Sequence, residues 1–238
     1  MNEAYMNLEN EIPSTNEYSR LGDFWPEIRY MNHFFDVSSL AGEFERCFTR
    51  MRVPARTKLL TVGQVCNNVY FIEHGLLRAY YYRGDHEINL WLLHEAQFVT
   101  AIRSFNQQIS AYEIIETVEP CILAAIDYND IMHLVYKSHE FCICVFKIYA
   151  YLDTGRDIRN YMFRAFTVEE RFRQLLILDA PLVNRVSMKM LAAYLEMTPE
   201  TLCRIMHGKE FKDLDYDNLT IENIESISKG LRVSGKAD

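Results

Sequence analysis

The stretch from Val186 to Gly208, VSMKMLAAYLEMTPETLCRIMHG, limits what this chain can fold into more than any other. Ser187 is placed to cap a first helix that ends near Leu195. Thr198 is placed to cap a second, with Pro199 at its first helical position, where a missing N–H does no harm. Leu191, Leu195, Leu202 and Ile205 supply apolar anchors at helical spacing. Ala192 is small where two crossing helices must approach, and Met197 can fill the gap at the turn. With Leu202 and Ile205 turned inward, Pro199, Glu200, Cys203, Arg204 and His207 face outward. That is the pattern of a helix-turn-helix, whose second helix lies in the major groove. Arg204 can donate two hydrogen bonds to a guanine edge, and Glu200 can accept one from a cytosine amine. An ordinary helical hairpin satisfies the same spacing, so the rest of the chain has to decide.

Upstream, the pattern predicts three kinds of structure in succession. Residues 1–30 read as a loose polar leader without the apolar core of a secretory signal. A helix is expected over 37–51, with Leu40, Phe44, Cys47 and Phe48 on one face and Pro54 ending it. From Ala55 to Asp127 short alternating segments between turn signals predict an all-β unit, a roll or barrel rather than an open sheet. Gly63 and Gly75 fit turns, and Arg83-Gly84-Asp85 fits a hairpin tip. Thr100–Gln108 breaks the strand pattern and reads as a short helix, and Asp127 is placed to cap another. A long helix is expected over 138–166. Phe141, Val145, Ile148, Leu152, Gly155, Arg159 and Met162 alternate spacings of four and three along it, a seam of the coiled-coil kind that predicts a parallel homodimer. A single helix packed on its own roll is the alternative. Thr167–Leu178 is a further amphipathic helix, 179–185 reads as a loop, and Phe211–Ile221 reads as a two-stranded wing followed by a short helix over 222–230.

Composition narrows the function. The chain of 238 residues carries a net charge of −8, so any DNA-binding surface has to be local rather than a property of the whole. Its wing is acidic at Asp213, Asp215 and Asp217, with Lys209 and Lys212 as the phosphate contacts. No apolar run reaches about 18 residues, so no membrane span is expected. Six cysteines without paired spacing read as reduced thiols in a cytoplasmic protein. Cys121, Cys142 and Cys144 read as buried apolar residues. His74, His86 and His94 do not converge by spacing, and no metal or cofactor is expected.

The segments VYFIEHGLLRAYY and INLWLL resemble the middle strands of the roll in the Crp/Fnr family of bacterial transcription regulators. VSMKMLAAYLEMTPETLCRIMHG resembles that family's DNA-binding pair more specifically. The resemblance runs from Lys58 to His207 and lies nearest the divergent Bacteroidetes-type branch. It implies an α+β protein: a double-stranded β-roll of the cyclic-nucleotide-binding, jelly-roll type over 31–137, a dimerisation helix over 138–166, and a winged helix-turn-helix over 167–238. It further implies a homodimer that binds double-stranded DNA, with Glu200 and Arg204 on the base-reading positions and Thr201 beside them. Pro199 stands where many members carry a first arginine, so the preferred site should differ from the usual palindrome. Activation of transcription would add RNA polymerase as a partner, and no surface for it can be placed.

The family's cyclic-nucleotide binders hold phosphate with a Gly-Glu-Leu run on a short helix and a following Arg-Ser or Arg-Thr step. Here FVTAIRSFNQQISAYEI lacks that run, and Ile109-Ser110-Ala111 stands at the arginine step. Binding of cyclic AMP in the usual manner is therefore not expected. Arg78, Arg103, Ser104, Gln107, Ser110 and Tyr112 remain candidate lining groups for another effector, each equally readable as a surface or structural residue. The family's cysteine motif for an iron–sulfur cluster is missing, since no cysteine precedes Cys47. Two competing readings stay open: a roll-and-helix interaction module whose DNA binding has degenerated, and a cupin-like metal enzyme. The second lacks an ordered His/Glu cluster and a nucleophile–base pair.

Overall fold

Alternating β-branched and aromatic residues make the first half of the described chain a run of short strands. The computed structural model describes residues 47–208 together with Phe211, Leu214 and Tyr216. Its strands are β1 (Thr49–Val53), β2 (Lys58–Leu60), β3 (Asn68–His74), β4 (Leu77–Arg83), β5 (His86–Leu93), β6 (Phe98–Val99), β7 (Ile114–Thr117) and β8 (Cys121–Asp127). They form two four-stranded antiparallel sheets, in the orders β1-β8-β3-β6 and β2-β7-β4-β5. This is the jelly-roll arrangement that the sequence predicts. Register is set by long-range pairs such as Val53 with Cys121 and Leu77 with Thr117.

The roll closes on inward-facing aliphatic residues. Ile72, Leu76, Leu77, Ala79, Ile115 and Leu123 have no exposed surface. Between β3 and β4 the chain passes from one sheet to the other through Gly75, at φ +103°. A Cβ there would lie 2.5 Å from Cys121 Sγ and 2.8 Å from the Pro120 carbonyl oxygen, so only glycine fits. Fully buried Thr117 ties the β1–β2 connection down: its hydroxyl accepts from the Thr57 amide (2.9 Å) and donates to the Pro54 carbonyl (2.7 Å). The hairpin tip forms at Gly84, φ +63°.

Seven helices occur among the described residues: α1 (Ile102–Gln107), α2 (Tyr128–Lys137), α3 (His139–Ala165), α4 (Val168–Asp179), α5 (Leu182–Arg185), α6 (Met188–Tyr194) and α7 (Pro199–Met206). α1 and α2 lie where expected, and Asp127 caps α2 by accepting from the Asn129 amide at 2.7 Å. α3 is one helix of 27 residues, about 40 Å long at 1.5 Å per residue. α4 begins in a capping box: the Glu170 amide donates to the Thr167 hydroxyl, and the Thr167 amide donates to the Glu170 carboxylate (2.8 Å). Those bonds hold the Glu170 carboxyl below its ordinary pKa, the Thr167 amide contributing most.

Three expectations need correction. The helix expected over 37–51 falls mostly outside the described residues, and Thr49–Met51 belong to β1 instead, because pairing with β8 outweighs local periodicity. The segment expected as a loop over 179–185 contains α5, which buries Leu182 and Val183. Cys142 is exposed rather than buried: Phe141 and Cys144, three apart, share the inward face of α3, and Cys142 lies about 100° round from Phe141. All of the expected wing except Phe211, Leu214 and Tyr216, together with its following helix, the leader, Lys209 and Lys212, lies outside the described residues.

The chain divides into a β unit, comprising the described residues to Tyr81 and Trp91–Ile148, and a helical unit from Tyr149 onward that also includes Tyr82–Leu90. In the helical unit the Phe172 ring is fully buried and meets Phe211 edge-on, with centroids 5.3 Å apart.

Candidate nucleic-acid interface

The two helices of the C-terminal motif form as their capping residues dictate. The Ser187 hydroxyl accepts from the Met190 amide, and the Thr198 hydroxyl accepts from the Thr201 amide at 3.2 Å. Pro199 occupies the first turn of α7. The turn between them reverses through Glu196 at φ +54°, and the Met197 amide donates to the Ala192 carbonyl at 3.0 Å. Leu191, Ala192, Leu195, Leu202 and Ile205 are buried between the helices and the rest of the unit. At about 25 cal/mol per Å² such burial outweighs the weak propensity of helices this short.

The other side of α7 is open. Thr198, Glu200, Cys203, Arg204 and His207 are exposed, while Pro199 and Thr201 are half-buried. Arg204 has no side-chain partner among the described residues. The Glu200 carboxylate is turned back on the helix start, where its own amide and then the Thr198 hydroxyl hold its pKa below the ordinary carboxylate value. His207 closes the helix. The Cys203 carbonyl can only accept, so the 2.8 Å contact with His207 Nδ1 makes that nitrogen the donor and leaves Nε2 free to accept in the neutral ring. The Cys203 thiol lies 3.6 Å from the same nitrogen.

The first helix of the pair is gripped from several directions. Asn89, 2% exposed, donates from Nδ2 to the Met190 carbonyl at 3.2 Å. Arg159 Nη2 donates to the Tyr194 carbonyl at 2.9 Å. Burial holds the Arg159 pKa below the guanidinium norm, with Tyr194 and Glu196 opposing that shift. Arg171 reaches the Leu195 carbonyl at 3.4 Å and the Phe163 carbonyl at 2.9 Å. Arg171 and Asn89 were not singled out from sequence, because their partners lie far along the chain and no local pattern marks them.

Residues of the expected dimer seam separate into two groups. Phe141 is 3% exposed inside its own unit, and Arg159 is engaged with α6. Val145, Ile148, Leu152 and Met162 are half-buried on α3, which also contains Gly155. Phe146 and Tyr161 on the same helix are 70% and 63% exposed.

The six candidate effector groups differ in their surroundings. Arg78 is paired with Glu116, Nη2 to Oε2 at 2.7 Å, and its guanidinium lies over the Tyr80 ring. Ser104 is buried, accepting from the Cys66 amide and donating to the Ile109 carbonyl. Arg103, Gln107, Ser110 and Tyr112 are exposed. A separate recess of 370 Å³ is lined by Leu59, Leu60, Gln64, Val65, Cys66, Asn67, Asn68 and Tyr70, and no ionised carboxylate, lysine or arginine borders it. Among the described residues no group of three or more His, Cys, Asp or Glu could hold a metal ion, and no helix is long and apolar enough to cross a membrane.

No protein-family model and no curated protein matches the sequence. Solved structures do match in fold. FixK2 from Bradyrhizobium japonicum is 12% identical over 76% of this chain and 96% of its own, with a TM-score of 0.67. The c-di-GMP-responsive global regulator CLP of Xanthomonas campestris is 19% identical over 71% of this chain and 89% of its own, with a TM-score of 0.58. A protein from Eubacterium rectale described as a transcriptional regulator of the Crp/Fnr family is 13% identical, covers 83% of this chain and 98% of its own, and has a TM-score of 0.58. At these identities the likeness establishes a shared fold, a β-roll followed by a helical region.

Proposed function

We propose that this protein is a homodimeric, sequence-specific regulator of transcription of the Crp/Fnr type, reading double-stranded DNA through α7. The observation that carries the reading is α7 itself. It is capped by Thr198, buried on its Leu202–Ile205 side, and open along Glu200, Cys203, Arg204 and His207. In this reading Arg204 donates to a guanine edge. Glu200 leaves the helix start to accept from a cytosine amine. Thr198, Pro199 and Thr201 lie at the end of α7 that enters the groove, where Thr198 and Thr201 can contact phosphate. Lys209 and Lys212 add phosphate contacts. With a net charge of −8, one subunit grips the phosphates weakly, and a second copy doubles the contacts.

The second copy is assigned to the α3 face that holds Val145, Ile148, Leu152, Gly155 and Met162, a reading supported by the partial exposure of Val145, Ile148, Leu152 and Met162. The roll is assigned no cyclic AMP in the usual manner, and the Bacteroidetes-type placement rests on the sequence resemblance alone. RNA polymerase enters only if the protein activates. Selection from random duplex DNA at low salt tests the reading. The expected result is an inverted repeat with half-sites about 34 Å apart along the duplex. A pool that enriches no sequence would overturn it and favour a module without DNA recognition.

A further inference from the structure

A helix ends with carbonyls that its own turns leave without partners, and the end carries partial negative charge. In α6 the last carbonyls are those of Tyr194 and Leu195, directly before the reversal at Glu196. Each is taken by a guanidinium from a different helix: Arg159 of α3 donates to Tyr194, and Arg171 of α4 donates to Leu195. One aromatic ring serves both cations. Phe163, one turn beyond Arg159 on α3, lies 4.5 Å from Arg159 Cζ and 4.9 Å from Arg171 Cζ. The Tyr194 ring covers Arg159 at 4.1 Å, so that guanidinium contacts two aromatic rings. Arg171 also takes the Phe163 carbonyl at 2.9 Å, which ties α4 to the end of α3. Planar, multiply donating cations between rings and carbonyls fix direction as well as distance, which an apolar contact does not.

We infer that Arg159 and Arg171 are positioning residues for DNA reading: they clamp the carbonyl end of α6 to α3 and α4, and so set the angle at which α7 is presented. The inference rests on the proposed dimeric DNA reader. If α3 joins the two copies, that angle determines how far apart the two α7 helices lie. The clamp then governs the half-site spacing the protein accepts, not the bases it prefers. Arg159 falls on the four-and-three spacing of the α3 seam, yet its contacts lead into its own helical unit.

The test uses the full-length protein and the repeat selected by the wild type, rebuilt with spacers from two base pairs shorter to two longer. Wild type is expected to bind one spacing far better than the others. Arg159→Met and Arg171→Met should keep the base preference within each half-site. They should lose about tenfold at the optimal spacing and respond less sharply to spacer length. Arg159→Lys, which keeps the charge but not the planar fork, should fall between wild type and Arg159→Met, and it carries the test if a methionine variant does not fold by circular dichroism. Spacing preference as sharp as wild type, with affinity within about twofold, overturns the inference. So does an altered base preference inside the half-site, which would make these contact residues instead. If the wild type itself selects no sequence, the DNA-reading proposal has failed first and the positioning role falls with it.

Discussion

Replacing Leu202 with alanine separates what holds α7 in place from what it presents. Leu202 has no exposed surface and packs against the face of α6 that includes Leu191 and Ala192. The substitution removes three carbons, and at about 0.8 kcal/mol per buried methylene the transfer loss alone is about 2.4 kcal/mol. The helices on either side are held by caps and by the arginine clamp, so the site collapses only in part, and a residual cavity raises the cost to about 3–4 kcal/mol. For a helical unit of this size that lowers the melting temperature by roughly 12–32 °C. Arg204→Ala, two residues along on the exposed side, should change stability by less than about 0.5 kcal/mol. Far-UV circular dichroism during urea and thermal unfolding measures both. A Leu202→Ala midpoint that matches wild type would refute the packing of α7 on α6. An Arg204→Ala protein as destabilised as Leu202→Ala would refute the assignment of Arg204 to the open face.

Other outcomes follow from local chemistry. Thr167→Ala should cost about 1 kcal/mol through loss of the α4 cap. Because Glu170 is held below its unfolded pKa, its share of that stability is complete above the ordinary carboxylate range and disappears as pH falls through the depressed value, so melts at pH 7 and pH 3 should show a smaller difference in the variant than in wild type. With a thiol reagent at pH 8, Cys142 and Cys203 should react in the folded protein, whereas Cys66, Cys121 and Cys144 should wait for unfolding; burial pushes the Cys144 thiol up to about 11, and rapid native labelling there would contradict its placement. In the free protein Glu200 is held ionised below the ordinary carboxylate range, and even an ordinary carboxylate stays ionised at pH 5.5, so discrimination at the base pair assigned to Glu200 should be unchanged between pH 8 and pH 5.5, which repeated binding titrations would check.

Much of the described fold was legible because it is written locally. Ser187, Thr198 and Pro199 mark helix starts by their own chemistry, and Asp127 and Thr167 do the same for α2 and α4. The hairpin tip at Gly84 and the crossing at Gly75 were equally marked. What was not legible depends on partners distant in sequence. Thr49–Val53 becomes a strand only because β8 lies about seventy residues on. The α5 turn is hidden in a segment whose Pro181 and Asn184 suggest a loop. Arg159 falls on the α3 seam, five helical turns from Phe141 on the same side. Its direction is decided by Tyr194 and Phe163, which no spacing on α3 reveals. The pairing of Arg78 across strands with Glu116 and the lining of the recess depend likewise on residues distant in sequence.

The central claim is that the open side of α7 reads bases, and the most direct measurement compares the sequence preference of wild type and Arg204→Ala at every position of the selected repeat. The account predicts that the variant loses discrimination at one base pair per half-site, by about 1–3 kcal/mol, with the flanking positions unchanged. An identical preference in the two proteins would contradict it.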